Sequence, residues 1–164
     1  MNKSFQILED AIERIDRRFP GVPRQEVLLT RLTLHLQQRL SCHLNEALKP
    51  WGINETVWMS LLGMYASEDG SLNPSDLSDM LDSSRTNATR VSDEMVRHGW
   101  VERIACPDDR RKIVLRLTKQ GIAFIETLLP ISRDAQKRLW EDYSSEEKLE
   151  MERLMRKLLT SIGG

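Results

Sequence analysis

Residues 74–99 read PSDLSDMLDSSRTNATRVSDEMVRHG, and residues 100–121 read WVERIACPDDRRKIVLRLTKQG. This pattern predicts a short helix, a polar turn, a second helix that ends at Gly99, and two strands joined by a charged loop. A helix-turn-helix followed by a β-hairpin is the arrangement of a winged helix, which is a module that reads nucleic acids.

The second helix carries signals at both ends and along one face. Either Ser83 or Ser84 can supply the oxygen that caps its first backbone amides, and Gly99 suits the left-handed position after its last turn. Its apolar residues recur at steps of three and four, so they share one face that must pack inward. These residues are Ala88, Val91 and Met95.

The opposite face of this helix is polar. At 100° per residue, Thr86, Arg90 and Arg97 lie opposite the apolar face, and Asn87 and Thr89 lie on its flanks. Arg90 can bridge the two acceptors of a guanine in the major groove, and Asn87 can pair with an adenine. A solvated polar helix face is the simpler interpretation of this spacing considered alone.

The loop between the two predicted strands favours DNA contact over a merely solvated helix face. Asp109 stands two residues before Arg111 and can hold its guanidinium in a fixed orientation, which a narrow minor groove attracts. A charged tip on its own is usually only solvated, but beside a polar-faced helix it favours DNA contact. Phosphates would be met mainly by Ser84 and Arg85. The predicted DNA-contacting residues are Ser84, Arg85, Thr86, Asn87, Thr89, Arg90, Asp109, Arg110 and Arg111.

Charge is unevenly distributed along the chain of 164 residues, whose formal net charge is −1. Between residues 85 and 116 there are eight basic and five acidic side chains, so this segment carries +3 and leaves −4 for the rest. A basic segment on an acidic body favours nucleic-acid contact through one surface.

A motif in the predicted wing resembles the wing signature of the MarR family of transcriptional regulators. It runs from Asp109 to Gly121 as Asp-x-Arg-x-x-x-Leu-x-Leu-Thr-x-x-Gly, and the similarity covers essentially the whole chain, including residues 87–90 and 99–103. The run at residues 83–90, with residues 52–55 before it, further resembles the multidrug-efflux repressor branch (EmrR/MprA-like).

The resemblance implies a repressor that a small aromatic or anionic ligand releases from a pseudo-palindromic DNA operator. That ligand would bind between the helical dimer region and the winged helix. The repressor branch implies hydrophobic drugs or uncouplers, whereas a related branch implies phenolic or hydroxycinnamate compounds, so both classes stay open. Candidate ligand contacts are Arg31, His35, Trp58 and Tyr65, for which ordinary core or surface positions are the alternative.

Helical patterns flank the winged helix on both sides. We expect an N-terminal arm over residues 1–23, a helical dimerisation region over 24–49 and 118–164, and the DNA-binding winged helix over 54–117, all in one compact domain. Apolar stripes left over on the flanking helices predict a homodimer. The expected fold is mainly α with a small β-hairpin wing. Pro130 either kinks the helix after the wing or separates two helices.

Two alternative functions remain from the residues. Cys106 lies at the base of the wing, where oxidation could perturb DNA contact, although an exposed cysteine without a redox role is the plainer interpretation. A winged helix can also serve as a protein-interaction adaptor, against which the polar helix face and the wing arginine count.

Other classes are disfavoured by motifs that the sequence lacks. The three histidines are scattered, and the sequence has neither a nucleophile elbow nor a phosphate-binding glycine loop, so we expect neither an enzyme nor a bound cofactor or metal. Cys42 and Cys106 form no CxxC pair and indicate a reducing, cytoplasmic setting. No apolar run approaches the ~18 residues that span a bilayer, so no membrane role is expected.

Overall fold

The computed structural model describes residues 3–21, 23–105 and 113–163. The helices are α1 (Lys3–Arg18), α2 (Arg24–Leu48), α3 (Glu55–Ala66), α4 (Pro74–Met80), α5 (Arg85–Arg97), α6 (Lys119–Leu139) and α7 (Ser145–Ser161), and the strands are β1 (Ser71–Leu72), β2 (Val101–Ala105) and β3 (Ile113–Leu117). The expected fold class, mainly α with a small wing sheet, is confirmed. The chain divides into two compact units, residues 1–55 and residues 56–164.

The first unit is built on the pairing of α1 with α2. The ring centroids of Phe5 on α1 and His35 on α2 lie 5.3 Å apart. At the start of α2, the Arg24 Nη2 lies 3.4 Å from the Glu13 Oε1 on α1. Helix α2 ends at Leu48 and is followed by a short 3₁₀ turn that closes at Gly52, whose φ is +70°. Helix α1 therefore lies within the segment predicted as the N-terminal arm, and it packs against α2.

The second unit contains the winged helix. Helices α4 and α5 pack on each other, and the antiparallel sheet has the strand order β1-β3-β2. Leu72 pairs with Leu115, so β1 adds a short third strand to the predicted β-hairpin. The core of this unit is formed by fully buried side chains of α3, α4, α5, β3 and α6. They include Val57, Leu61, Met64, Leu77, Val91, Met95, Leu115, Ile125 and Leu128.

The two C-terminal helices begin at side-chain caps. Thr118 accepts the backbone N–H of Gly121 and begins α6, and Ser144 and Glu147 form a reciprocal capping box at the start of α7. Helix α6 runs through Pro130 without a break, so Pro130 does not separate two helices.

Candidate nucleic-acid interface

Of the two candidate caps, Ser84 is the one that caps α5. The Ser84 Oγ accepts the backbone N–H of Asn87 at 3.3 Å. Ser83 has a different role, since its carbonyl oxygen accepts a hydrogen bond from the Ser78 hydroxyl at 2.6 Å and ties the turn to α4. The turn also contains Asp82 at φ +44°, in the left-handed region that non-glycine residues rarely occupy. Two hydrogen bonds and one left-handed residue therefore mark where α5 starts.

The two faces of α5 divide as its periodicity predicted. Ala88, Val91 and Met95 are at most 1% exposed, so the apolar face is confirmed as core. On the outer face, Arg85, Thr86, Thr89 and Arg90 are exposed, and Asn87 is half-buried. The Thr89 hydroxyl donates to the carbonyl oxygen of Arg85 at 2.9 Å, which leaves its oxygen lone pairs available. The six predicted contacts of this helix thus lie at its cap and in its first two turns, and all but Asn87 are exposed.

Arg90 is held by two neighbours on its own helix. Its Nη2 donates to the Asn87 Oδ1 at 3.1 Å, and its Nη1 donates to the Glu94 Oε2 at 3.3 Å. These residues stand three before and four after Arg90, which is the spacing at which helical side chains meet. Sequence reasoning missed Glu94, although this spacing was a signal that could have identified it.

The wing strand is tied to α5 by an ion pair that sequence reasoning also missed. Arg103 on β2 donates from Nη2 to the Asp93 Oδ1 at 2.6 Å. The two residues are ten positions apart and lie on different elements, so no periodic pattern could have indicated their contact.

Residues at the end of the MarR-like wing motif attach α6 to the end of α5. The Thr118 hydroxyl donates to the carbonyl oxygen of Gly99, at 2.7 Å, while its oxygen caps α6. A Cβ added at Gly121 would overlap the carbonyl oxygen of Trp100, so only glycine allows this close approach. The motif positions Leu115 and Leu117 are buried in the sheet core. These four positions therefore have a structural role and stand outside the proposed DNA contacts.

An aromatic stack strengthens the same junction. The ring centroids of His98 and Trp100 lie 4.2 Å apart, and the two rings are nearly parallel. The ring of Phe124 on α6 also stacks on Trp100, with a centroid distance of 4.3 Å. The C-terminal end of α5, the start of β2 and α6 are thus packed as one block.

The tip of the wing lies outside the described residues. Asp109, Arg110, Arg111 and Cys106 all fall in residues 106–112, so the predicted minor-groove contact and the redox alternative stay predictions. Strands β2 and β3 are paired up to Ala105 and Ile113, the described residues on either side of that segment.

The four candidate ligand contacts lie in different surroundings. Trp58 on α3 is 3% exposed and its indole N–H donates to the Ser132 hydroxyl at 3.0 Å, as expected for a core residue. Tyr65 on the same helix is 40% exposed, and its hydroxyl donates to Glu126 at 3.3 Å. In the first unit, Arg31 is exposed and His35 is half-buried beside Phe5. The alternative of an ordinary core position fits Trp58 best.

Metal-type clusters and membrane-spanning helices are both absent from the described part of the chain. Among residues 3–21, 23–105 and 113–163, no three His, Cys, Asp or Glu side chains gather as metal ligands would. Within the same ranges, no helix combines the length and apolar character needed to cross a membrane.

Comparisons with known proteins agree on one family. The family model for the MarR family matches residues 64–113. Over 162 residues the chain is 41% identical to the transcriptional repressor MprA of Escherichia coli strain K12, covering 99% of this chain and 92% of that protein.

Solved structures give the same result. A crystal structure of a MarR mutant from E. coli complexed with operator DNA is 27% identical, with a TM-score of 0.74, and covers 85% of this chain and 99% of that chain. Sco3205, a MarR family transcriptional regulator from Streptomyces coelicolor in complex with DNA, matches with a TM-score of 0.79, covering 87% of this chain and 91% of that chain. At 21% identity, this second match shows the fold alone.

Proposed function

The chain belongs to the MarR family of transcriptional regulators, and we propose that it is a homodimeric repressor that a small aromatic or hydrophobic ligand releases from its operator. The DNA-binding part of this proposal rests on the exposed polar face of α5, a helix that begins at the Ser84 cap and ends where His98 stacks on Trp100. Membership of a family of regulators also supports the expectation that the chain is not an enzyme.

In the proposed complex, α5 enters the major groove of the operator. Thr86, Asn87 and Arg90 read base edges, and Ser84, Arg85 and Thr89 position the helix against the phosphates. Arg111, oriented by Asp109 and accompanied by Arg110, enters the minor groove beside it. The exposure of Arg85, Thr86 and Arg90 supports this assignment, since each can reach DNA without unfolding any part of the core.

The proposed homodimer rests on an apolar face of α7. The residues Met151, Leu154, Met155, Leu158, Leu159 and Ile162 fall within an arc of ~140° at 100° per residue. Leu154 is 50% exposed and Leu158 is 49% exposed in the single chain, and no residue of α7 is buried. A second copy would cover this face and present two α5 helices to successive major grooves, roughly 34 Å apart.

The DNA-binding part is tested by fluorescence anisotropy with duplex DNA from upstream of the gene that encodes this chain, and with a scrambled duplex. We expect site-preferring binding that weakens as salt rises, because phosphate contacts release counterions. Arg90→Ala should lower the preference for the site, and Arg111→Ala should lower affinity. Arg133→Ala, which removes an exposed arginine from α6, serves as the control and should leave both unchanged.

Equal binding to both duplexes would favour the protein-interaction adaptor, or an operator elsewhere, which selection from a random duplex library distinguishes. No binding even at low salt would contradict the proposed function.

The dimer is tested by sedimentation velocity. Leu154→Glu with Leu158→Glu should convert a species of twice the chain mass into a monomer, because four buried charges would face each other across the symmetric interface. Lys157→Glu places an acidic side chain on the same helix outside the apolar arc and should leave the dimer intact. A wild-type monomer at micromolar concentration would contradict the proposal.

The ligand response is tested by adding hydroxybenzoate, a hydroxycinnamate and a nitrophenol uncoupler to the protein–operator complex. We expect at least one compound to release the DNA. Tyr65→Ala and Arg31→Ala remove exposed side chains and should weaken the response if they contact the ligand, whereas Trp58→Phe tests the buried ring with less damage to the core. An unchanged response in any variant removes that residue from the site, and no response to any compound contradicts release by these classes.

A further inference from the structure

The guanidinium of Arg90 is restrained before any DNA is present. It donates to Asn87 through Nη2 and to Glu94 through Nη1. A guanidinium has five N–H donors, so these two hydrogen bonds leave three for a base or a phosphate. The side chain is therefore oriented and still able to bind.

Glu94 is the fixed end of this arrangement. Its side chain is only 17% exposed, whereas that of Arg90 is 58% exposed. A mostly buried carboxylate has few alternative rotamers, so an arginine that donates to it takes its orientation from the helix. Glu94 is in turn one helical turn after Arg90, on the side of the helix that leads back to the buried face.

Helix stability does not account for the pair. On a helix, an acidic residue four positions before a basic one is favourable, and Arg90 followed by Glu94 has the reverse order. The Arg90 end of the pair is 58% exposed, so water and salt screen the charge interaction and limit what it contributes to folding. The contact is better explained by what it does to the orientation of Arg90.

We infer that Glu94 is a positioning residue for Arg90 and holds its planar fork in the orientation that meets the two acceptors of a guanine. This inference rests on the proposed function, since it concerns how the α5 face reads DNA. A guanidinium that is already oriented loses less conformational freedom on binding, and the benefit is realised only at a base whose acceptors match the fork. Glu94 thereby raises discrimination between bases without touching DNA.

The opposite effect is equally testable. If the ion pair competed with DNA for Arg90, loss of Glu94 would free the guanidinium and strengthen binding at the preferred base. The two interpretations predict changes of opposite sign in the same measurement.

The experiment selects bound sequences from a randomised duplex library and derives base preferences for the full-length wild type, Glu94→Gln, Glu94→Ala, Arg90→Ala and the double variant Arg90→Ala with Glu94→Gln. Glu102→Gln is the matched control, because it removes one negative charge from an exposed position of the same unit. Thermal unfolding establishes that each variant is folded.

The base position that changes in Arg90→Ala identifies what Arg90 reads. At that position we expect guanine in the wild type, with the roughly five- to hundredfold discrimination of a two-bond arginine contact. Glu94→Gln should reduce this discrimination at least about threefold and Glu94→Ala further, while Glu102→Gln leaves it unchanged. The salt dependence of binding should stay the same in Glu94→Gln, because no phosphate contact is lost. In the Arg90→Ala background, Glu94→Gln should change nothing more.

Each other outcome overturns a specific statement. If no sequence is enriched by the wild type, the proposed function fails and the role of Glu94 fails with it. If the wild type is selective and Glu94→Gln has the same preferences, or stronger ones, only the positioning role is wrong. A Glu94→Gln effect that persists in the Arg90→Ala background would show that Glu94 acts through some other group.

Discussion

Arg103 on β2 and Asp93 on α5 form an ion pair with a distance of 2.6 Å between Nη2 and Oδ1. It joins the helix proposed to read the major groove to the strand that leads to the wing tip. Their side chains are 38% and 54% exposed, and exposed pairs typically contribute only about 0.2–1 kcal/mol to folding. The pair is therefore better placed to set the angle of the wing than to stabilise the unit.

Breaking this pair should affect DNA binding more than stability. For Asp93→Asn and Arg103→Gln we expect the free energy of unfolding to fall by less than about 1 kcal/mol, with operator affinity reduced at least about threefold, the equivalent of about 0.7 kcal/mol. The double variant should bind no worse than either single one, as residues of one interaction are not additive. Glu102→Gln is the control, since successive strand side chains point to opposite faces. Unaltered affinity in both single variants would show that the pair does not orient the wing.

Substitutions at Ser84 can separate the effect of the cap on stability from the effect of charge on DNA binding. Ser84→Ala should lower the free energy of unfolding by about 1 kcal/mol, because the N–H of Asn87 loses its acceptor. Ser84→Asp restores a capping oxygen and suits the positive end of the helix dipole, yet it repels phosphate. Denaturant unfolding and anisotropy should therefore rank the two variants in opposite orders. DNA binding by Ser84→Asp at wild-type strength would mean that Ser84 lies away from the DNA backbone.

For Gly121→Ala, packing and helix propensity predict opposite changes in the free energy of unfolding. Propensity alone favours alanine over glycine inside a helix by about 1 kcal/mol. At Gly121 the added Cβ would overlap the carbonyl oxygen of Trp100, so we expect a net loss of about 1–3 kcal/mol from forced separation of α6 and β2. Chemical denaturation of Gly121→Ala measures the difference. A free energy of unfolding equal to or above that of the wild type would contradict the close approach.

The carboxylate of Asp69, which accepts hydrogen bonds from Ser71 in β1, makes the stability of the fold depend on pH in the acidic range. The Ser71 hydroxyl donates to its carboxylate at 2.6 Å, and this bond, with the Ser71 backbone N–H and the charge of Arg116, holds the pKa of Asp69 below its ordinary value of 3.8. Because the folded-state pKa is lowered, the contribution of Asp69 to stability is present at neutral pH and is lost as the pH falls through that pKa.

An NMR titration of the Asp69 carboxyl group measures the shift. Its midpoint should lie below 3.8 in the wild type and should rise in Ser71→Ala, which removes the largest cause and keeps the backbone hydrogen bond. Ser75→Ala, an exposed serine in the following helix, should leave the midpoint unchanged. A titration at the ordinary value in the wild type would contradict the hydrogen bonds at this turn.

Sequence patterns predicted the helix ends and the inward face of α5 because those features depend on neighbours a few positions away. Ser84, Thr118 and Ser144 cap helices through backbone amides three residues on, and Gly99 ends α5 by its own left-handed φ of +73°. The same reasoning could not choose between Ser83 and Ser84, since both precede the helix and only the hydrogen bond from the Asn87 N–H to the Ser84 hydroxyl separates them.

The amino-acid sequence by itself determined the elements of this protein, their order, its family and the polar face of α5, because local propensity, periodicity and a wing motif act over short stretches of chain. Only the tertiary structure decided which side chains are engaged in contacts between separate elements. It buried Trp58 against Ser132, joined Arg103 to Asp93 and fixed the Thr118 hydroxyl on Gly99. Those contacts depend on how separate elements pack, and packing is set by the whole core at once.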